Sequence, residues 1–329
     1  MKLIIQIPCY NEAATLPLTL ADLPREVTGF DAVEWLVIDD GSTDGTARVA
    51  RENGVDHVIR FPVNRGLARA FASGLQRGLE LGADVVVNTD ADNQYVAGEI
   101  PMLVRPVLEG RADLVIGERP LHTTRDLSRT RKLLQRLGSR VVRSASGTDV
   151  RDAPSGFRAM SRRALIELHV FNDYSYTLET IIQSGHKGLS VVSVPISTNP
   201  PTRRSRLYTS VPSYLWKQGL TIARIFTTYR PLRVFMTAGA LAFGFGFLLG
   251  MRFLAHYLSG EGAGHVQSVI LAAMLMIVGF VLGVTGVLAD LISVNRKLLE
   301  EIDSLLKTHL LVSDETVARH ADFVDGGEE

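Results

Sequence analysis

Ala83-Asp84-Val85-Val86-Val87-Asn88-Thr89-Asp90-Ala91-Asp92-Asn93-Gln94 passes from an apolar run straight into a cluster of oxygen-bearing side chains. The run reads as a buried strand, because an unbroken β-branched series suits a parallel strand covered on both faces. Two carboxylates one residue apart at the end of such a strand can converge on one divalent cation. Carboxylate and amide oxygens are the hard donors that Mg2+ or Mn2+ takes. Magnesium in such sites keeps positions open for substrate phosphates, so the metal reading implies a phosphorylated ligand. The other reading is that Asp90 and Asp92 only cap the helix that follows. The short motif alone does not choose between them.

Outward from this stretch, residues 1–120 alternate between strand runs and amphipathic helix patterns. Strands are expected at Lys2–Ile7, Glu34–Ile38, His57–Arg60, Asp84–Asn88 and Asp113–Ile116. Helices are expected near Ala13–Leu23, Thr43–Asn53, Gly66–Leu81 and Ile100–Glu109. This order predicts an α/β fold with a doubly wound, mainly parallel sheet. Ligands of such sheets bind beyond the carboxyl ends of the strands. Three polar clusters fall there: Pro8-Cys9-Tyr10-Asn11-Glu12, Asp39-Asp40-Gly41-Ser42-Thr43-Asp44-Gly45-Thr46, and Asp90 to Gln94. In the second, Gly41 frees the backbone to turn and Ser42 or Thr43 is placed to cap the next helix. Asp40 is expected to face outward and accept hydrogen bonds from a nucleotide base or ribose. Asn64-Arg65-Gly66 opens another helix, where Arg65 either meets a phosphate or stands as a solvated charge.

The bulk numbers narrow the class. Lys plus Arg and Asp plus Glu are both 35 in 329 residues, so net charge gives no signal for nucleic acid. The single cysteine, Cys9, forms no intramolecular disulfide, which fits a reducing compartment. The start Met1-Lys2-Leu3-Ile4-Ile5 lacks a long apolar segment, and no secretory signal peptide is expected.

The clusters at Pro8–Glu12, Asp39–Thr46, Asn64–Gly66 and Asp90–Gln94 together resemble family 2 glycosyltransferases with a GT-A fold. The similarity is greatest to the dolichol-phosphate mannose synthase-like branch, which makes polyprenyl-phosphate sugars. It covers about residues 1–210, with the blocks in order. The resemblance implies that Pro8, Tyr10, Asn11, Glu12 and Asp40 line a nucleotide pocket, with Arg65 and Ala91 beside it. It places Asp90 by the nucleotide and the metal, and has Asp92 and Gln94 coordinate Mg2+ or Mn2+ between the diphosphate oxygens.

Residues 121–210 form the acceptor half by the same resemblance. Asp152-Ala153-Pro154-Ser155-Gly156-Phe157-Arg158 is similar to a family segment bordering the sugar and acceptor site, and Gly117-Glu118-Arg119 implies a phosphate contact at Arg119. Arg125, Arg129, Arg131, Lys132, Arg136, Arg140 and Arg143 make a basic run on a helical pattern, suited to anionic lipid or to plain solvation. Tyr174-Ser175-Tyr176-Thr177-Leu178-Glu179 opens a helix. Beyond a strand at Leu189–Pro195, Thr202-Arg203-Arg204-Ser205-Arg206 reads as a phosphate clamp, since arginine binds phosphate bidentately. A polybasic patch for anionic headgroups is the other reading, and both can hold.

Val234–Met251 and Val266–Ala289 are uncharged runs of 18 and 24 residues. Each suffices to cross a hydrocarbon core of about 30 Å. The short link Ala255–His265 carries Glu261 and no Lys or Arg, and Arg252 sits at the outer end of the first span, placed to snorkel, whereas Arg224, Arg230, Arg233, Arg296 and Lys297 flank the pair. The positive-inside rule then puts both ends in the cytoplasm. Tyr214, Trp216, Lys217 and Tyr229 suggest interfacial helices, and the acidic tail Ser313–Glu329 reads as disordered. The expected organisation is a cytoplasmic GT-A domain at 1–210, interfacial helices at 211–231, a transmembrane α-hairpin at 232–295, and a cytoplasmic helix and tail at 296–329. The chain is expected at the cytoplasmic membrane, with the catalytic domain and both termini cytoplasmic.

Three functions stay open. The first is transfer of a sugar from a UDP- or GDP-linked donor to polyprenyl phosphate, metal-dependent and inverting, with Asp92, Arg119, Asp152, Arg203 and Arg206 in the reacting region. The second extends a glycan or a lipid-diphosphate-linked sugar, with Asp152 or Glu179 as the base a hydroxyl acceptor needs. The third is a non-enzymatic membrane scaffold. Glycine faces at Gly239, Gly244, Gly246 and Gly250, and at Gly279, Gly283 and Gly286, suit helix packing, and a homo-oligomer is expected.

Overall fold

The computed structural model describes residues 1–120, 143, 146–170, 176–200, 227, 231–260 and 266–325, with side chains in the last helix described as far as 308. Two compact units are present, Met1–Trp216 with Asp303–Glu329, and Lys217–Ile302. Each is taken by itself below.

In the first unit β1 (Lys2–Cys9) is buried almost throughout, because it pairs in parallel with β2 (Ala32–Asp39) on one edge and β4 (Val85–Asn88) on the other. The next strands are β3 (His57–Arg60), β5 (Leu114–Glu118), β6 (Arg158–Ser161) and β7 (Val191–Pro195). They form one sheet in the order β3-β2-β1-β4-β6-β5-β7. Every pairing is parallel except those of β6, which runs antiparallel between β4 and β5. Strand β6 was not legible in the sequence. Its first residue is an arginine, and that arginine is completely buried.

Helices α1 (Leu16–Asp22), α2 (Thr46–Glu52), α3 (Leu67–Glu80) and α4 (Ile100–Leu108) follow β1 to β4. Leu16 and Leu20 of α1 and Ile100, Leu103 and Val104 of α4 join Leu3, Ile5, Ile7, Val85 and Val87 in one buried cluster. Fully burying each such side chain contributes about 1.5–3 kcal/mol. Helix α3 buries Ala68, Phe71, Leu75 and Leu79, the spacing of one helix face. It approaches closely at Gly74, where a Cβ would lie 2.3 Å from the Gln6 amide oxygen. Helices α5 (Arg162–Glu167) and α6 (Tyr176–His186) complete the unit's centre.

The two apolar runs lie in the second unit, on α7 (Pro231–Leu258) and on α8 (Val266–Asp325) as far as Ile302, the rest of α8 belonging to the first unit. Only 11% and 17% of their most apolar windows are buried, which is not the pattern of core helices in a water-soluble domain. Backbones meet where side chains are missing. A Cβ on Gly239 would stand 2.7 Å from the Gly279 carbonyl oxygen, and one on Gly279 would stand 2.7 Å from the Gly239 oxygen. Gly246 is similarly tight against Ala272, whereas Gly244 faces open space.

Helix α8 runs on through Asp325, into the stretch whose composition reads as disordered. Ala, Leu and Glu favour helix locally even where no core is buried. The basic run apart from Arg143, the Arg203–Arg206 segment, Tyr214, Trp216, Lys217 and Tyr229, and Glu261 lie outside the described residues.

Candidate functional site

The ends of β1 and β2 are laced together. Past Cys9 the chain turns at Asn11, whose φ is 53°. The Asn11 N–H donates to Ser42 Oγ at 2.9 Å, and its Oδ1 accepts from the Thr43 N–H at 2.9 Å. The Glu12 N–H donates to Thr46 Oγ1 at 3.0 Å and the Ala13 N–H to Asp44 Oδ2 at 3.0 Å. Tyr10 stays exposed on the rim while Glu12 is buried.

Neither Ser42 nor Thr43 caps α2. The helix opens later, after Gly45 at φ 86°, and Asp44 Oδ1 accepts from Thr46 N and Oγ1 at 3.0 and 2.5 Å. A carboxylate two residues before the helix takes the donors that a hydroxyl was expected to take. Gly41 does turn the chain, at φ 72°, and a Cβ there would strike the Val63 backbone at 2.4 Å.

Asp40 differs from its expected outward, uncommitted pose. Its Oδ1 accepts the Arg65 N–H at 2.6 Å and its Oδ2 the Gly66 N–H at 2.9 Å, the free amides just before α3. Burial raises its pKa, and these two backbone donors act in the opposite direction. Asp40 therefore ties the β2 end to the loop carrying Arg65. The Arg65 guanidinium itself is exposed and lies 5.4 Å from the Phe61 ring centroid. Asp39 beside it is buried, accepting from Ser42 N and lying 3.4 Å from Arg60.

Cys9 reports how these clusters converge. Burial first, then Glu12, Asp39, Asp44 and Asp90, push its thiol well above the ordinary range. The registers Cys9↔Asp39 and Gln6↔Asn88 set the carboxyl ends of β1, β2 and β4 side by side, and the buried thiol stays neutral and unreactive.

At the β4 end Asp90, Asp92, Asn93 and Gln94 are all half-buried. The Gln94 N–H donates to Asp92 Oδ1 at 3.2 Å, and the Ala91 carbonyl accepts from Thr19 Oγ1 at 2.9 Å. No group of three or more His, Cys, Asp or Glu side chains able to hold a metal occurs among the described residues. The candidate donors are instead two carboxylates and one amide. That set fits a hard cation whose remaining positions are filled by a diphosphate.

Near Asp90 stands the segment Asp152–Arg158. A Cβ on Gly156 would lie 3.2 Å from Asp90 Oδ1 and 3.0 Å from the Tyr176 hydroxyl. Tyr95, stacked on Phe157 at 5.0 Å, accepts the Gly156 N–H through its hydroxyl at 3.0 Å. Burial and then Asp90 push the Tyr95 phenol up to about 12 and the Tyr176 phenol higher still. Both therefore stay protonated. Asn88 accepts from Gln6 Nε2 and donates to the Gly156 carbonyl, each at 2.8 Å. Arg158, fully buried, donates to the carbonyls of Ser155 and Ala153 and to Thr180 Oγ1. Burial draws its pKa down to about 10, so the guanidinium stays charged at neutral pH.

Arg119 and Asp152 meet as a bidentate pair, Nε to Oδ2 at 2.7 Å and Nη2 to Oδ1 at 3.0 Å. Burial opposes the Arg119 charge, but Tyr95, Asp152 and Asp90 together raise its pKa. With Tyr95 a neutral phenol, we assign that rise to the two carboxylates. Asp152 is wholly buried and both its oxygens accept from Arg119. Glu179, on the first turn of α6, is also buried. No role is expected from sequence for Asn88, Tyr95 or Asn199, because the partners of each, Gln6 and Gly156, Gly156, and Asn93 and Gln94, are distant in the chain.

Comparison with known proteins adds three findings. Residues 4–169 match the family described as glycosyl transferase family 2. An undecaprenyl-phosphate mannosyltransferase of Micrococcus luteus is 34% identical over 60% of this chain and 83% of its own length. The glycosyltransferase AglJ of Haloferax volcanii is 30% identical over 92% of this chain and 97% of its own. Glucosyl-3-phosphoglycerate synthase of Mycobacterium tuberculosis, solved with Mn2+, uridine diphosphate and glucosyl-3-phosphoglycerate, superposes with a TM-score of 0.54 at 23% identity, over 69% of this chain and 79% of that one. It shares the GT-A fold.

Proposed function

The chain belongs to glycosyl transferase family 2, and on that premise we propose that it moves a sugar from a UDP- or GDP-linked donor onto polyprenyl phosphate. The observation that carries this is the side-by-side alignment of the carboxyl ends of β1, β2 and β4, which brings the segments of Glu12, Asp39, Asp40 and Asp90 to one rim, in a chain that also bears two apolar helices long enough to cross a membrane. Relatives named for undecaprenyl-phosphate and polyprenol monophosphate mannosyl transfer support the acceptor class. In this reading the catalytic domain, 1–210, and both termini lie on the cytoplasmic side, which the arginines flanking the hairpin support.

The residues divide the work. Pro8, Tyr10, Asn11, Glu12 and Asp40 line the nucleotide pocket, with Arg65 and Ala91 at its edge. Asp92 and Gln94, with Asp90 beside them, would hold Mg2+ or Mn2+, which would supply neutralisation of charge on the departing nucleotide diphosphate. Arg119, oriented by Asp152, presents its guanidinium to phosphate, and Arg203 and Arg206 add charge on the acceptor side. A lipid phosphate is largely ionised at neutral pH, its second pKa being about 6, so no strong base is needed. Positioning and electrostatics then carry the rate, in one in-line displacement with inversion at the sugar carbon.

The engagement of Asp152 favours this reading over a hydroxyl acceptor, for which Asp152 was a candidate base. The test is purified full-length protein with labelled UDP- and GDP-sugars and polyprenyl phosphate. A charged lipid-linked monosaccharide supports the proposal. Polymer, or binding without turnover, rejects it.

A further inference from the structure

The loop between Asp92 and Gln94 is held by a segment with no role in the proposed transfer. Asn93 has φ 54°, a left-handed conformation uncommon for any residue bearing a Cβ. Its Nδ2 donates to Asp22 Oδ2 at 2.7 Å on α1, and its buried Oδ1 has no hydrogen-bond partner. A residue in this conformation turns the chain sharply, so the directions of Asp92 and Gln94 depend on its staying there.

Three loop carbonyls are each engaged from elsewhere in the same unit. The Ala91 oxygen accepts from Thr19 Oγ1 at 2.9 Å. The Asn93 oxygen accepts from Asn199 Nδ2 at 3.0 Å. The Gln94 oxygen accepts from the Asn199 backbone N–H at 2.9 Å. Thr198 forms an antiparallel bridge with Tyr95, and the Ser197 N–H donates to Glu99 Oε2 at 2.8 Å. The few residues past β7 therefore run beside Asn93–Glu99 as a short strap, while α1 grips the other side. At Asn199 a side chain and a backbone amide of one residue grip two consecutive peptides of the loop.

We infer that Asn199 is a positioning residue for the metal-holding loop: its two N–H donors clamp the carbonyls of Asn93 and Gln94 and keep Asn93 left-handed, so that Asp92 and Gln94 meet a divalent cation already oriented. This rests on the metal-binding reading of Asp92 and Gln94 above. Every substitution but proline keeps the backbone donor, so N199A removes one of the two clamps and leaves the fold's core untouched.

The test titrates Mn2+ into full-length protein in detergent with UDP, then with GDP, reading free Mn2+ by electron paramagnetic resonance alongside the melting temperature. N199A is expected to weaken Mn2+ binding about three- to tenfold, the worth of one hydrogen bond. N93A is expected to weaken it at least as much, and N93G less, because glycine adopts φ 54° freely. Unchanged Mn2+ affinity in N199A, with binding lost in D92A, overturns the role of Asn199 and leaves the metal reading standing. A lowered melting temperature with unchanged affinity likewise overturns it. Wild-type Mn2+ affinity in D92A overturns the metal reading, and this inference with it.

Discussion

Arg119 donates through Nε and Nη2 to the two oxygens of Asp152 at 2.7 and 3.0 Å, and also through its own backbone N–H to Asp152 Oδ2 at 3.2 Å. Three donors on one carboxylate fix both the side chain and the strand end from which it springs. Replacing Arg119 with lysine keeps the charge and loses the fork. R119K is expected to lower kcat/KM about 10- to 100-fold, the value of charged bidentate bonds. D152N leaves Arg119 without its counter-charge and is expected to cost about 3 kcal/mol of stability. Steady-state kinetics and denaturant melts check the two effects separately.

Asp92 carries the metal assignment. D92A is expected to reduce transfer at least about 100-fold, because charge stabilisation at the departing diphosphate is the largest contribution available. Saturating Mn2+ is not expected to restore it. Turnover near wild type with metal present would reject the assignment.

His169 makes stability depend on pH. It is buried, with Nε2 2.6 Å from Asp303 and Nδ1 2.9 Å from the Glu167 carbonyl and 3.2 Å from Lys187 Nζ. Burial foremost, then Lys307 and Lys187, lower its pKa despite the pull of Asp303. The folded state thus prefers neutral imidazole, and the unfolded chain gains a proton first as pH falls. Its contribution is complete above about pH 6.5 and is lost as pH falls through the depressed value. Melting temperature is expected to drop between pH 7 and 5, less steeply in H169Q. Equal slopes in the two proteins would refute the assignment.

The hairpin helices make a sharper contrast. G279L puts a large side chain where the Gly239 carbonyl lies within 2.7 Å of a bare Cβ, whereas G244L points into open space. G279L is expected to lower the melting temperature and the yield of membrane-extracted protein, and G244L to leave both unchanged. Similar behaviour of the two would show that the glycine contact does not hold the pair together.

Much of the sheet was legible because its central strands obey one rule. Leu3–Ile5 and Val85–Val87 are unbroken apolar runs, as suits strands covered on both faces, and the one polar residue inside the β1 run, Gln6, is buried against Asn88. Strand β6 broke that rule through Arg158, whose charge is satisfied by carbonyls and a hydroxyl within the unit, a partnership invisible to periodicity. The polar clusters were found, but not their internal bonding. Nothing local marks Asp44 rather than Ser42 as the acceptor at the start of α2, or turns Asp40 toward the Arg65 and Gly66 amides. Asn199 lies 106 residues from its partner Asn93, and a contact of that span leaves no trace in a short window.

The antiparallel strand wedged between β4 and β5 also bears on how the chain is made. Strands β1 to β4 can associate as they emerge from the ribosome, but β5 cannot settle beside them, since its neighbour has not yet been synthesised. That neighbour, in turn, keeps its guanidinium satisfied only once Thr180 is available. A nascent polypeptide halted before Arg158 would present an open flank along Val85–Asn88, so the part of the sheet beyond β4 is assembled late.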